Sequence, residues 1–197
     1  MSKQLNTPSG RPRSIYADQA ILQATLDLLA EVGYQSMSIE AIASRAGVGK
    51  TTIYRRYTSK AELVADAIES VREDLPIPNT GSFWGDMDIL INHVAKKIDS
   101  SLGRQTLALI ISTASSNPQF AKVYQTKYTK LRREAFFTVL ERAKSRGEIH
   151  QDADIDLIID LLSGSIYYAL VFKPTTESME TYMRRTIGIL FKGIGID

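Results

Sequence analysis

The sequence predicts an all-α chain, with an N-terminal three-helix helix-turn-helix domain followed by a larger, wholly helical domain. Three observations predict it. Apolar residues recur at helical spacing through most of the 197 residues. No alternating apolar-polar run bounded by turn signals suggests a strand. Glycine and proline steps cut the helical pattern into segments of ordinary helix length.

The elements follow in order. Residues 1–14 are polar, with Pro8, Gly10 and Pro12, and read as a disordered basic arm. From about residue 15 to 32 one stripe (Ile21, Leu22, Thr25, Leu28, Leu29, Val32) defines a first helix, which Gly33 stops. Ser38 suits the N-cap of a short second helix with Glu40 in its first turn, where the helix dipole favours an anion. Ile39, Ile42, Ala43 and Ala46 face inward, and Gly47 ends that helix. A third short helix spans about Lys50 to Tyr57, burying Ile53 and Tyr57. Ser59 to Glu62 is a capping box that opens a fourth helix striped by Leu63, Val64, Ala67, Ile68 and Val71.

Asp74 to Gly81 (DLPIPNTG) is the best boundary, dividing the chain into 1–14, 15–75 and 82–197. Helices are expected beyond it at about 83–101, 104–115, 118–145, 154–172 and 176–193.

Composition narrows the function. With no cysteine there is no disulfide, thiolate zinc site or thiol nucleophile, which fits a reducing cytoplasm. The N-terminus carries no apolar run and reads as neither signal peptide nor anchor. The most apolar stretch, Leu161 to Phe172, is shorter than the roughly 20 residues a membrane span requires. The net charge of +2 is uneven. Residues 1–60 carry +4, from Lys3, Arg11, Arg13, Arg45, Lys50, Arg55, Arg56 and Lys60 against four acids, and the remainder carries −2. A basic head suggests a polyanionic partner, although a solvated surface would look the same.

The segment from Gly33 to Ala67 decides between these. A short helix, a glycine turn and a second short helix is helix-turn-helix geometry. The second of the pair would expose Lys50, Thr51, Thr52, Arg55 and Arg56. A major groove about 12 Å wide admits one helix, and its base edges offer acceptors to Arg and Lys and a methyl group to Thr. Ser38, Tyr54 and Lys60 flank the helix as groups suited to phosphates. Tyr54 could instead be a buried hydroxyl satisfied within the domain, and Arg56 a solvated charge.

These residues resemble the DNA-binding domain of the TetR family of transcriptional regulators over about residues 15–72. Gly33-Tyr34, Ser38-Ile39, Ile42-Ala43, Ala46-Gly47-Val48, Ile53-Tyr54, Tyr57 and Ser59 to Leu63 match in order, spacing and type. Tyr57 stands where the family more often has Phe, and Ser38 where it usually has Thr. The resemblance implies a base-facing set of Lys50, Thr51, Thr52 and Arg55. It implies phosphate contacts from Ser38, Tyr54, Arg56 and Lys60, with Arg11 and Arg13 in an arm.

It further implies a C-terminal domain that binds a small-molecule effector and forms a homodimer, so that a double-stranded operator is bound by two heads and released by the effector. Gly147-Glu148-Ile149 before Asp152-Ala153-Asp154 recurs in such domains. The helix at 154–172 is apolar nearly all round and must be covered on all sides. Paired with its neighbour it would form a two-fold four-helix interface through Leu161, Ile166, Leu170, Met183, Ile187 and Leu190. Trp84, His93, Tyr124, Tyr128 and Tyr167 are candidate lining for the effector pocket. No cofactor, metal or membrane partner is expected.

A rival reading is a nucleotide hydrolase. Ala46 to Thr52 resembles the end of a phosphate-binding loop, and Leu157 to Asp160 a strand ending in a metal-binding aspartate. That loop needs a glycine at position 44, which is serine, and a preceding strand, where residues 38–45 have helical period. A helical enzyme is disfavoured because His93 and His150 lie far apart with no carboxylate at metal spacing.

Overall fold

The computed structural model describes residues 12–72, 74–172 and 176–194, without the side chains of 12–14, 101–102, 193 and 194. The described residues form α-helices and one π-helical turn, with no strand among them. They divide into two compact units, residues 12–71 with 112–124, and the remainder.

The first unit opens with α1 (Pro12–Ser36), which is broken at Gly33. The helix starts earlier than expected: proline suits a first helical turn, where its missing N–H costs nothing. The backbone of Arg13 therefore lies in a helix rather than a disordered arm, while Arg11 and the rest of 1–11 lie outside the described residues. α2 (Ile39–Ala46) begins at Ser38, whose Oγ accepts from Ala41 N–H at 3.1 Å. It ends at Gly47, whose left-handed φ of 66° a side chain would oppose. α3 (Lys50–Tyr54) is only five residues long; Arg55 and Arg56 follow in a turn rather than in the helix expected to reach Tyr57. α4 (Lys60–Ser70) is capped by Ser59, whose Oγ accepts from Glu62 N–H at 3.1 Å. The Glu62 carboxylate reaches back to the N–H and hydroxyl of Thr58.

The core of this unit gathers Ile21, Leu28, Leu29, Ile42, Ile53, Leu63, Val64 and Ile68. Thr25 is buried among them because its hydroxyl bonds back to the Ile21 carbonyl at 2.7 Å. Val32, expected inside, is exposed. The sequence division at 75–82 also misses a contribution: α7 (Pro118–Tyr124) packs here, its fully buried Phe120 between Tyr34 and Tyr124.

The second unit holds α5 (Phe83–Asp99), the first part of α6 (Ser101–Ser116), α8 (Lys130–Ser145), α9 (Ile155–Phe172) and α10 (Met179–Ile194). The single helix expected over 118–145 is interrupted by a π-helical turn at Gln125–Thr129, a wider turn that spacing of apolar residues does not reveal. The core comprises Met87, Leu90 and Ile91 of α5, Val139 and Leu140 of α8, Ile158, Ile159 and Leu162 of α9, and Met183, Ile187 and Phe191 of α10.

Glu148, in the loop after α8, explains part of the Gly147-Glu148-Ile149 pattern. Its carboxylate accepts from the Phe83 N–H at 3.0 and 3.1 Å, supplying an anion to the N-terminus of α5. Arg146 braces that carboxylate through Nε at 2.6 Å and lies 3.6 Å from fully buried Asp86. Arg133 of α8 forks onto Asp156 and Asp160 of α9, and these carboxylates raise its pKa above the ordinary arginine value.

Candidate nucleic-acid interface

Ile53 fixes the orientation of α3. It is 1% exposed, so the short helix lies against the core by that residue and turns its other side chains out. Lys50, Thr51, Tyr54 and Arg55 are exposed, and Thr52 is half-buried. Tyr54 is 59% exposed, which overturns the alternative of a hydroxyl satisfied inside the domain. Of the expected base-facing set, Lys50, Thr51 and Arg55 therefore face outward with Tyr54, and Thr52 is partly covered.

Two cations expected at phosphates have partners within the domain. The Arg56 guanidinium bonds Asp18 of α1 through Nε and the Thr52 carbonyl through NH1 at 3.0 Å. It is neither a solvated charge nor an unencumbered phosphate ligand. Lys60 Nζ donates to the carbonyls of Tyr34 at 2.8 Å and Met37 at 3.0 Å and lies 4.4 Å from the centre of the Tyr34 ring. Tyr34 follows the break at Gly33 and Met37 lies just past the end of α1, where carbonyls run out of helical donors, and Lys60 supplies one to each. Its partial burial pulls its pKa below the ordinary lysine value. The ammonium carries three donors, and these two carbonyls account for two. Ser38 Oγ serves the α2 cap as an acceptor, a use that does not consume its own hydroxyl proton.

Two acids that complete this surface escaped sequence reasoning. Asp18 entered only as one of the four acids of residues 1–60, and Glu40 only as a dipole partner. Glu40 Oε1 in fact takes Lys50 Nζ at 3.1 Å.

The candidate effector lining is divided between the two units. Tyr124 belongs to the first unit's aromatic stack and donates its hydroxyl to Glu69. Trp84 is half exposed, edge-on to Phe83 and near Phe191. His93 is partly buried on α5, Tyr128 lies in the π turn under Lys127, and Tyr167 is exposed on α9. The candidate dimer residues also separate. Met183 and Ile187, 4% and 1% exposed, are core of their own unit and cannot form a surface. Ile166, Leu170 and Leu190 are half-buried against that core, and Leu161 is exposed. The outward face of α9 instead carries Leu157, Leu161, Tyr168, Val171 and Phe172.

The phosphate-loop alternative fails on secondary structure. Residues 39–46 are helix where a strand is required, and Leu157 to Asp160 lie inside α9. α9, at 18 residues, is long and apolar enough by length and composition to cross a membrane, yet one side of it fills the second unit's core.

A short helix set outward beside a capped partner helix, on an all-α frame, defines a helix-turn-helix regulator. Residues 21–67 match the model of the bacterial regulatory proteins of the tetR family, and residues 77–190 match the tetracyclin repressor-like C-terminal domain. The HTH-type transcriptional regulator YdeS of Bacillus subtilis (strain 168) is 32% identical over 191 residues, covering 96% of each chain. The regulator AqdR of Rhodococcus erythropolis is 27% identical over 150 residues, 76% of this chain and 72% of its own.

Among solved structures, NalD, described as the secondary repressor of the MexAB-OprM multidrug efflux pump in Pseudomonas aeruginosa, superposes with a TM-score of 0.72 at 20% identity. That match covers 93% of this chain and 99% of NalD. The complex of SmeT with triclosan gives 0.66 at 19% identity, with 92% of both chains covered. The protein belongs to the TetR family of transcriptional regulators.

Proposed function

We propose that the protein is a homodimeric repressor that binds a near-palindromic operator and is released by a small-molecule effector. The observation that supports this most is the outward set Lys50, Thr51, Tyr54 and Arg55 around buried Ile53. In this reading Lys50, Thr51, Thr52 and Arg55 face bases, and Ser38, Tyr54 and Lys60 hold phosphates. Arg56 sets the position of α3. The apolar outward face of α9 supports pairing with a second copy, since apolar surface of this extent calls for cover. Two recognition helices then sit one duplex turn apart, about 34–36 Å.

Effector release rests on the family and on structural neighbours described as an efflux-pump repressor and as a complex with triclosan. The effector would favour a conformer with poorer head spacing, and DNA would weaken effector binding reciprocally. The protein acts by binding rather than catalysis, in the cytoplasm.

Selection of bound duplexes from a random pool tests the reading. It expects a near-palindrome with half-sites one turn apart. Arg55→Ala should cost about 1–3 kcal/mol on that site and relax one base position. No salt-sensitive binding to any duplex would overturn the proposal.

A further inference from the structure

Glu40 poses a question that the proposed function leaves open. It places an exposed carboxylate on the surface expected to meet a polyanion, beside the first residue of the recognition helix. Its Oε1 lies 3.1 Å from Lys50 Nζ, and the two side chains are 59% and 54% exposed. An ion pair this exposed adds little to stability, and Ile42 and Ile53 of the two helices are already buried in the core without it. The carboxylate nonetheless favours its charged form. Its own backbone N–H, in the first turn of α2, lowers its pKa, and Lys50 lowers it further. A permanent negative charge that opposes DNA binding in general must contribute to something other than affinity.

We propose that Glu40 is a positioning residue that determines specificity by holding the Lys50 ammonium toward base edges and away from the phosphates. The proposal rests on the DNA-binding reading of α3. Lysine is a compact charge on a flexible four-carbon stem. Left alone beside a duplex, such a cation settles on phosphate, and a phosphate contact carries no sequence information. With one of its three donors given to Glu40 Oε1, the ammonium is pinned beside the first turn of α2. Its remaining donors then suit adjacent acceptors such as guanine O6 and N7. Glu40 thereby exchanges non-specific affinity for discrimination.

The test compares full-length wild type, Glu40→Gln, Glu40→Asp, Lys50→Ala and the Glu40→Gln/Lys50→Ala double variant. Duplex selection is followed by binding isotherms over a salt series. Glu40→Gln should bind random duplex more tightly and lose about ten-fold discrimination at the base pair facing the start of α3. The other positions should keep their preference. Its salt dependence should steepen by about one power per half-site as Lys50 moves to a phosphate. Glu40→Asp should restore part of the discrimination, and in the Lys50→Ala background Glu40→Gln should change no base preference.

An unchanged position-by-position preference in Glu40→Gln, with only uniformly tighter binding, overturns the proposal. So does an equal change with Lys50 absent, which would mean that Glu40 reads a base itself. Failure of the wild type to select any site would overturn the DNA-binding reading and this inference together. A wild-type site that Glu40→Gln shares in full would overturn this inference alone.

Discussion

Arg56 bonds Asp18 of α1 through Nε, and the same guanidinium holds the Thr52 carbonyl of α3 at 3.0 Å. A five-residue helix with no side-chain N-cap has little intrinsic stability, so its placement depends on such braces. Charge and position then pull in opposite directions. Removing an acid from a DNA-facing domain raises affinity through charge alone, whereas releasing α3 lowers it. Asp18→Ala should weaken operator binding and destabilise the first unit by about 1 kcal/mol. Fluorescence anisotropy and urea denaturation check this, and tighter operator binding would contradict the brace.

Lys60 serves two carbonyls at the broken end of α1. Lys60→Met should lower stability by about 1–2 kcal/mol, because partly buried acceptors lose their donor. If the ammonium also meets a phosphate, the salt dependence of DNA binding should flatten by about one unit for each lost contact. Thermal melting and a salt titration separate the two effects. Lower stability with an intact salt slope would assign Lys60 to the fold alone.

The contrast between caps and braces shows what the sequence could reveal. Ser38, Ser59 with Glu62, and Gly47 work within a few residues of themselves, so their roles were legible from spacing. Ile53 among polar neighbours likewise announced which way α3 would turn. Arg56 and Asp18 are 38 residues apart and Lys60 and Tyr34 are 26 apart, separations that only the packed domain closes. The same limit explains Met183 and Ile187. Periodicity marks them as inward, but it cannot say whether inward means the protomer's own core or a second copy. The π turn escaped because one wide turn leaves a helical stripe almost intact.

Leu161 and Tyr168 lie outward on α9, 48% and 59% exposed. Leu161→Glu with Tyr168→Glu should yield a folded monomer with weakened operator binding. Sedimentation and circular dichroism would report these separately. By contrast, Ile187→Asp should unfold the second unit, since it places a charge in the protomer's own core. A double glutamate variant that sediments as a dimer would place the pairing surface elsewhere.

Glu148 accepts the first N–H of α5 while Arg146 braces it. Glu148→Ala should cost about 1–2 kcal/mol of stability by removing the anion at that helix end. Glu148→Gln should recover part of the loss. Chemical denaturation followed by Trp84 fluorescence measures both. Equal stability of alanine variant and wild type would remove this role.

The Glu40 carboxyl, held below its ordinary 4.5 by its backbone N–H and then by Lys50, also sets a pH dependence. A depressed carboxyl pKa means that the pair is fully formed above 4.5 and lost only as pH falls through the lower folded value. Operator preference should therefore be the same at about pH 6 and about pH 8, far from that window. Selection at the two pH values checks this; a preference that shifted between them would place another titrating group at the base edges.

Arg133 carries a consequence for where α9 can lie. α9 has the length and oiliness of a membrane-crossing helix, and its two early carboxylates, Asp156 and Asp160, both rest on Arg133. Entry of that segment into a lipid layer would have to strip both acids from that cation. The charge cost of that step favours keeping the greasiest stretch of the protein on its own scaffold.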